Sequence, residues 1–337
     1  IITLVTMNLL KKIIYWKLSL QFFLITNFRN KLYDLGLIKS HTFNIPVISV
    51  GNLAVGGTGK TPMIEFLIRK FSPDYNVGVL SRGYKRNSKG FILASDLDNA
   101  KSIGDEPFQY FTKFKNIKVA VDKKRKRGIK RLIKEGIELI LLDDAFQHRR
   151  VKPEYSILLS DYENLYYEDY LMPRGKLRES KKGARRANCI VVTKCPEDIS
   201  DEEKDRIEKL VKPKEYQQLY FSSIVYSDKI FSLNSSKNLI QLKDKKVNLV
   251  TGVVNPKGLL RHLKDLGLIV NHFNYPDHYN YLNSDVQNFA DQIVITTEKD
   301  FTKLRNMDIE NLFYLPIEFK IHNQEDLLAE IANRIAY

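Results

Sequence analysis

The sequence predicts an α/β fold: a doubly wound, mainly parallel sheet with helices on both faces, followed by a smaller C-terminal α/β domain. Three observations predict it. Short runs rich in Val, Ile and Leu recur from about residue 45 onward, each bounded by turn or polar residues. Amphipathic stretches separate several of them, as helical crossovers between buried parallel strands require. One run also passes through a glycine-rich turn straight into a helical pattern.

The elements follow in order. Met7 is the first methionine, which leaves residues 1–6 open as native chain or an addition ahead of the start. Leu9 to Phe28 is apolar and aromatic and contains Trp16, but Lys11, Lys12 and Lys17 interrupt it and Arg29 and Lys31 follow. A spanning helix needs about 20 uninterrupted apolar residues. This stretch suits a helix lying among lipid headgroups, with a buried packing helix as the alternative. Strands are expected at Val47–Val50, Val77–Ser81, Ile117–Val121, Leu139–Leu142, Ile157–Leu159 and Ile190–Thr193, with helices over Met63–Phe71 and Lys126–Glu135. Around 219–242 the pattern becomes extended and punctuated by Ser and Asn. A second α/β series then runs through Val247–Thr251, a helix over Lys257–Leu266, Ile269–Phe273, Ile293–Thr297 and Phe313–Leu315. The expected organisation is an N-terminal membrane-associating helix region over 1–40, a core over 41–225, a linker or hinge over 226–245 and a smaller domain over 246–337.

The formal net charge of +14, from 54 Lys+Arg against 40 Asp+Glu, favours a polyanionic partner: nucleic acid, an anionic membrane or a phosphorylated substrate. Cys189 and Cys195 match no zinc or redox spacing, and a reducing, cytosolic setting suits them.

The chemistry begins at Val47-Ile48-Ser49-Val50-Gly51-Asn52-Leu53-Ala54-Val55-Gly56-Gly57-Thr58-Gly59-Lys60-Thr61-Pro62. The strand, glycine-rich turn and helix suit a phosphate-binding loop (P-loop), with a glycine turn carrying a chance Gly-Lys-Thr as the alternative reading. Gly56, Gly57 and Gly59 let successive N–H groups, with that of Thr58, turn toward phosphate oxygens, and the helix N-terminus adds partial positive charge. Lys60 can reach the β- and γ-phosphates, and the Thr61 hydroxyl can ligate Mg²⁺. The departure is Ala54, where the usual loop begins with Gly. A metal-holding strand is also needed. Glu138-Leu139-Ile140-Leu141-Leu142-Asp143-Asp144 supplies one, with Asp143 and Asp144 as the candidate carboxylates and a helix cap as their alternative reading.

Asp143-Asp144-Ala145-Phe146-Gln147-His148-Arg149-Arg150 together with the P-loop resembles the tetraacyldisaccharide 4'-kinase family. Ser81-Arg82-Gly83-Tyr84, Gly104-Asp105-Glu106-Pro107, Leu171–Glu179, Val192-Thr193-Lys194, Tyr275-Pro276-Asp277-His278-Tyr279 and Thr297-Glu298-Lys299-Asp300 agree, in the family's order, from about residue 45 to 305. In the family the position of Ala54 is also not Gly. The resemblance implies transfer of the γ-phosphate of ATP, with Mg²⁺, to the 4'-hydroxyl of tetraacyldisaccharide 1-phosphate, a lipid A precursor. It further implies docking on the cytoplasmic face of the bacterial inner membrane, peripheral or monotopic, against its anionic surface through the N-terminal helix.

By the same resemblance Asp105 is the base and His278 its orienting partner, with Lys60 completing the catalytic set. With one of the pair expected in each domain, a pair that formed only on domain closure would assemble the site on substrate binding and exclude water. Ordinary turn and loop residues are the bland alternatives for both. Glu179 resembles a carboxylate near the metal. Arg82 and Arg178 suit bidentate clamps on phosphate. Gln147 and His148 follow the metal strand closely enough to touch nucleotide or acceptor sugar. Within the basic run 123–127, Arg125 matches a basic family position and is the residue expected to make a specific contact.

The rival reading is a membrane-docked P-loop nucleotide switch or ATPase that phosphorylates no lipid. Such proteins often carry an additional lysine early in the loop, where Ala54 and Val55 stand here. A GTPase specificity loop would need an Asp that Thr193-Lys194-Cys195-Pro196 lacks. No helix-turn-helix, zinc-finger or RNP signature supports nucleic acid as a partner.

Overall fold

The computed structural model describes residues 2–336, with side chains from residue 14 onward. The side chains of Lys11 and Lys12 and the origin of residues 1–6 lie outside the described residues.

A helix over Ile2–Asp34 opens the chain. Ser19 and Tyr33 are buried. The Ser19 hydroxyl donates to the Leu171 carbonyl at 2.9 Å, and Arg149 donates to the Asn30 carbonyl at 2.7 Å and to Asp34 at 2.6 Å. The opposite side is apolar and exposed, with Ile25 at 68% and Phe28 at 65%. Among the described residues no helix is long and apolar enough to cross a membrane.

The chain divides into two units, each assembled from separate segments. The first comprises Ile1–Arg82, Asp122–Ser223 and Lys320–Tyr337, and the second Gly83–Val121 and Ile224–Phe319. This differs from the contiguous division expected from sequence. Periodicity identifies a strand and its buried face, but not which sheet recruits it.

In the first unit, strands Gln218–Tyr226, Cys189–Thr193, Tyr155–Asp161, Val47–Asn52, Leu139–Asp143 and Val77–Ser81 lie side by side in that order, all parallel. Most of their residues are buried, as expected of a sheet covered on both faces. Helices Lys60–Phe71, Arg125–Lys134, Asp201–Val211 and Gln324–Ile335 belong to the same unit. The last buries Leu327, Ile331 and Ile335, one apolar residue about every turn.

In the second unit, Ile269–Asn274, Lys246–Thr251, Ile293–Thr297 and Leu312–Leu315 form a parallel series. Lys229–Phe231 and Ser236–Asn238 continue it antiparallel. Residues 226–245, expected as a linker, therefore supply two sheet strands. They also supply the buried side chains Ile230, Leu239 and Leu242 to the core around Val247, Leu249 and Leu263. Residues 83–121, expected in the core domain, contribute an antiparallel pair, Ile92–Leu93 with Lys118–Val121, and the helix Asp105–Lys113.

Candidate active site

The phosphate loop is built at the carboxyl end of Val47–Asn52. Register sets Val50 level with Asp143 of the adjoining strand, so the carboxylate arrives one residue before Gly51, as the sequence pattern requires. The first half of the loop is pinned by a neighbouring segment. Val55 N–H donates to the Lys176 carbonyl at 2.8 Å and Arg178 N–H to the Leu53 carbonyl at 2.7 Å. The second half is held from below, with Asn52 donating to the Thr58 hydroxyl at 2.7 Å and the Thr193 hydroxyl to the Thr58 carbonyl at 3.0 Å. Lys194 donates to the Gly57 carbonyl and pairs with Asp161 at 2.6 Å. Gly56 and Gly57 stay exposed. Gly59, at φ 84°, adopts a left-handed backbone that an L side chain resists, and the helix starts at Lys60 immediately after it. The first N–H groups of that helix lack carbonyl partners within it, which suits such a terminus to receive an anion.

Lys60 Nζ lies 3.6 Å from Asp144 Oδ1. Arg178 donates to the same carboxylate at 2.9 and 3.2 Å, and also to the Asn52 side chain. Burial pushes the Asp144 carboxyl up, but Lys60, Arg178 and Arg125 together outweigh it and hold it well below the usual carboxylate range. Asp143 is buried, and its Oδ2 accepts from the Ser81 hydroxyl at 3.2 Å.

Glu179, a metal-ligand candidate by family likeness, is held by three donors. One oxygen accepts from Asn30 at 2.7 Å, and the other from Gln147 at 3.1 Å and Arg186 at 2.7 Å. Among the described residues no group of three His, Cys, Asp or Glu gathers as a cation cage. Gln147 also donates to the Asn52 carbonyl at 2.8 Å, which ties this network to the loop strand. His148 is pushed down to about 4 by burial and by Arg125, Arg29, Arg150 and Arg82. Arg82 is exposed. Arg125 is buried at 2% exposure and donates to the carbonyls of Asp122 at 2.6 Å and Asp143 at 3.2 Å. It braces the end of the carboxylate strand rather than meeting solvent.

The second unit carries a separate cluster. Gly104, at φ 102°, takes a backbone conformation open to glycine and opens the helix Asp105–Lys113, leaving Asp105 and Glu106 in its first turn. His278 Nδ1 lies 2.9 Å from Asp105 Oδ2, and Lys303 Nζ lies 2.7 Å from that oxygen. His278 itself sits at φ 58° and its ring meets Tyr84 edge-on at 5.3 Å. Such backbone conformations outside glycine concentrate at functional sites. Lys299 Nζ lies 3.1 Å from His278 Nε2, 3.1 Å from Asp277 and 3.5 Å from Glu106. Burial pushes the Asp105 carboxyl up, and its bonds to His278 and Lys303 more than reverse this, holding it below its ordinary value.

Asp105 and His278 thus belong to one unit, within which the pair is already formed. A pair formed only on closure of two domains therefore does not apply, since both residues lie in the second unit. Asn52, Lys194, Lys299 and Lys303 carried no assigned role in the sequence reading. The last two stand four residues apart on the helix Glu298–Leu304, which places them on one face, but spacing does not reveal what that face meets.

A family model described as tetraacyldisaccharide-1-P 4'-kinase matches residues 11–336. A relative named tetraacyldisaccharide 4'-kinase from Flavobacterium psychrophilum is 46% identical over 331 residues, covering 95% of each chain. Another of that name from Bacteroides thetaiotaomicron is 43% identical over 327 residues, covering 88% of this chain and 86% of its own. A crystal structure of LpxK from Aquifex aeolicus in complex with ATP matches with a TM-score of 0.77 at 33% identity, covering 96% of this chain and 98% of that one.

Proposed function

Because the chain belongs to the tetraacyldisaccharide 4'-kinase family, we infer that it transfers the γ-phosphate of ATP to the 4'-hydroxyl of tetraacyldisaccharide 1-phosphate in lipid A biosynthesis. The observation that carries the kinase chemistry is the phosphate loop, with Lys60 against Asp144 and Asp143 level with the loop strand.

In the reaction the acceptor oxygen bonds to the γ-phosphorus as the bond to the β–γ bridging oxygen breaks. ADP leaves with that electron pair, and the hydroxyl proton passes to a base. Positioning and charge stabilisation carry most of such a transfer. Lys60 and the loop N–H groups take the phosphate charge, with exposed Arg82 and partly buried Arg178 as further cations. Asp105 is the base and His278 orients it. The Thr61 hydroxyl and the Asp143 carboxylate are hard oxygen donors that would hold Mg²⁺, whose charge would offset that of the phosphates. Asp144, with two cations already on it, sets the position of Lys60 and Arg178. Glu179, with both oxygens engaged, steadies Gln147.

A transfer assay tests this reading. Detergent-solubilised protein with γ-labelled ATP, Mg²⁺ and tetraacyldisaccharide 1-phosphate should place label in the lipid. Acceptor-independent hydrolysis without labelled lipid would remove the substrate assignment and favour the nucleotide-switch reading.

The exposed apolar side of the first helix supports docking on the inner membrane's cytoplasmic face, with the basic charge of the chain favouring anionic lipid. Burying an Ile or Phe side chain contributes roughly 1.5–3 kcal/mol. The double variant Ile25→Glu, Phe28→Glu should therefore sediment with anionic vesicles at least about tenfold less, while transfer to detergent-dispersed acceptor is retained. Unchanged sedimentation would assign membrane contact elsewhere.

A further inference from the structure

The cluster around Asp105 holds two lysines that the proposed reaction leaves without a role. Helix Asp105–Lys113 lies against helix Glu298–Leu304, and Lys113 joins Glu298 at 2.5 Å. On that second helix Lys299 and Lys303 face the imidazole and the carboxylate in turn. An ammonium has three donors and no acceptor. Lys299 at 3.1 Å from His278 Nε2 therefore makes that nitrogen the acceptor. The ring proton then sits on Nδ1, where it is donated to Asp105 Oδ2. Lys303 lands on the same Oδ2 at 2.7 Å while donating to the Tyr279 carbonyl at 3.1 Å. Among the described residues Oδ1 takes part in none of these pairings.

We propose that Lys299 and Lys303 are positioning residues. Lys299 fixes the His278 tautomer, and Lys303 shares Asp105 Oδ2 with that imidazole, so that Oδ1 is the oxygen turned to the acceptor hydroxyl. The proposal rests on Asp105 being the base. The charged and titratable groups facing the pair are Glu106 from the helix of Asp105, Asp277 and Tyr84 from the loops, and the two lysines. Glu106 and Asp277 each approach His278 Nε2 only to 3.7 Å, farther than Lys299 does. Burial pushes Lys299 down, but Glu106 and Asp277 more than compensate and keep it an ammonium.

Two measurements test this. In the full chain labelled with ¹⁵N-histidine, with His278 assigned by His278→Gln, the neutral-pH spectrum should show an unprotonated Nε2 and a protonated Nδ1. Lys299→Met should shift His278 to mixed tautomers or to imidazolium. A wild-type ring found as imidazolium or with the proton on Nε2, or a spectrum unmoved by Lys299→Met, overturns the assignment to Lys299.

For Lys303, an opposite charge this close favours the ionised carboxylate and lowers its pKa. Lys303→Met should therefore move the acidic limb of kcat upward in pH relative to the wild type, with KM for the acceptor little changed. Lys303→Arg, which keeps the charge, should not show this shift. An unchanged pH profile in Lys303→Met, or the same shift in Lys303→Arg, overturns the Lys303 role. If Asp105→Asn keeps the wild-type kcat, the base reading falls and the Lys303 role with it. The imidazole spectrum still decides Lys299 on its own.

Discussion

Lys60→Ala should lower kcat for lipid phosphorylation by about 10²–10³-fold, the loss found when one preorganised charge-stabilising donor is removed from a transfer site. The side chain is 20% exposed and its pairing with Asp144, itself 35% exposed, spans 3.6 Å. Such a pair contributes no more than about 1 kcal/mol to stability, so the variant should melt close to the wild type. Asp144 would still be held by Arg178 at 2.9 Å, which keeps the carboxylate in place and confines the loss to the phosphate. Lys60→Arg should recover only part of the rate, because a planar fork does not reproduce a compact point charge. Incorporation of label into lipid, read beside a thermal melt, separates these effects. Wild-type turnover in Lys60→Ala would remove the loop from the chemistry.

Asp105→Asn should lower kcat by about 10²–10⁴-fold, the usual contribution of a positioned base, and leave KM for the acceptor nearly unchanged. An amide oxygen can still accept from His278 Nδ1, but it presents no charge to Lys303, which is largely buried. The variant should also lose about 1–3 kcal/mol of stability from that abandoned cation. The sign of the pH effect follows from the direction of the Asp105 shift. Burial raises its carboxyl, and His278 and Lys303 together bring it below its ordinary value. The base is then ionised at every pH above that lowered value and is lost only as the pH falls through it. The wild-type profile should stay flat on its acidic side across the neutral range. An acidic limb of the wild-type near neutrality would show that another group controls the rate.

Strands were the most legible part of the sequence. Val47–Asn52, Val77–Ser81, Leu139–Asp143 and Ile293–Thr297 fall within two residues of their expected ends. Runs of Val, Ile and Leu closed by Gly, Asp or Thr leave little freedom in where a buried strand stops. The helix Asp201–Val211 lacks a long apolar run, although Ser200 caps it by accepting from Glu203 N–H and three acidic residues fill its first turn.

What escaped was pairing. Lys118–Val121 reads like any other buried strand, yet its antiparallel neighbour is the two-residue strand Ile92–Leu93, too short to register as a pattern. At the phosphate loop the glycine spacing and the aspartate strand sufficed, because that chemistry is local in sequence. The Asp105 cluster draws on residues 84 to 303, and only likeness to a family pointed there. Within the basic run, no property of composition separates Arg125, buried at 2%, from its neighbours. Burial there depends on helix phase against the carboxylate strand.

The return of the helix Gln324–Ile335 to the first unit bears on the order in which the protein is made. Synthesis delivers the phosphate loop early, but the helix that buries Leu327, Ile331 and Ile335 emerges only after every segment of the second unit. The nucleotide-handling unit must wait on the ribosome with part of its apolar surface uncovered, while the second unit is already free to fold. Truncation after residue 320 should accordingly damage the earlier-synthesised unit, the reverse of what position along the chain suggests.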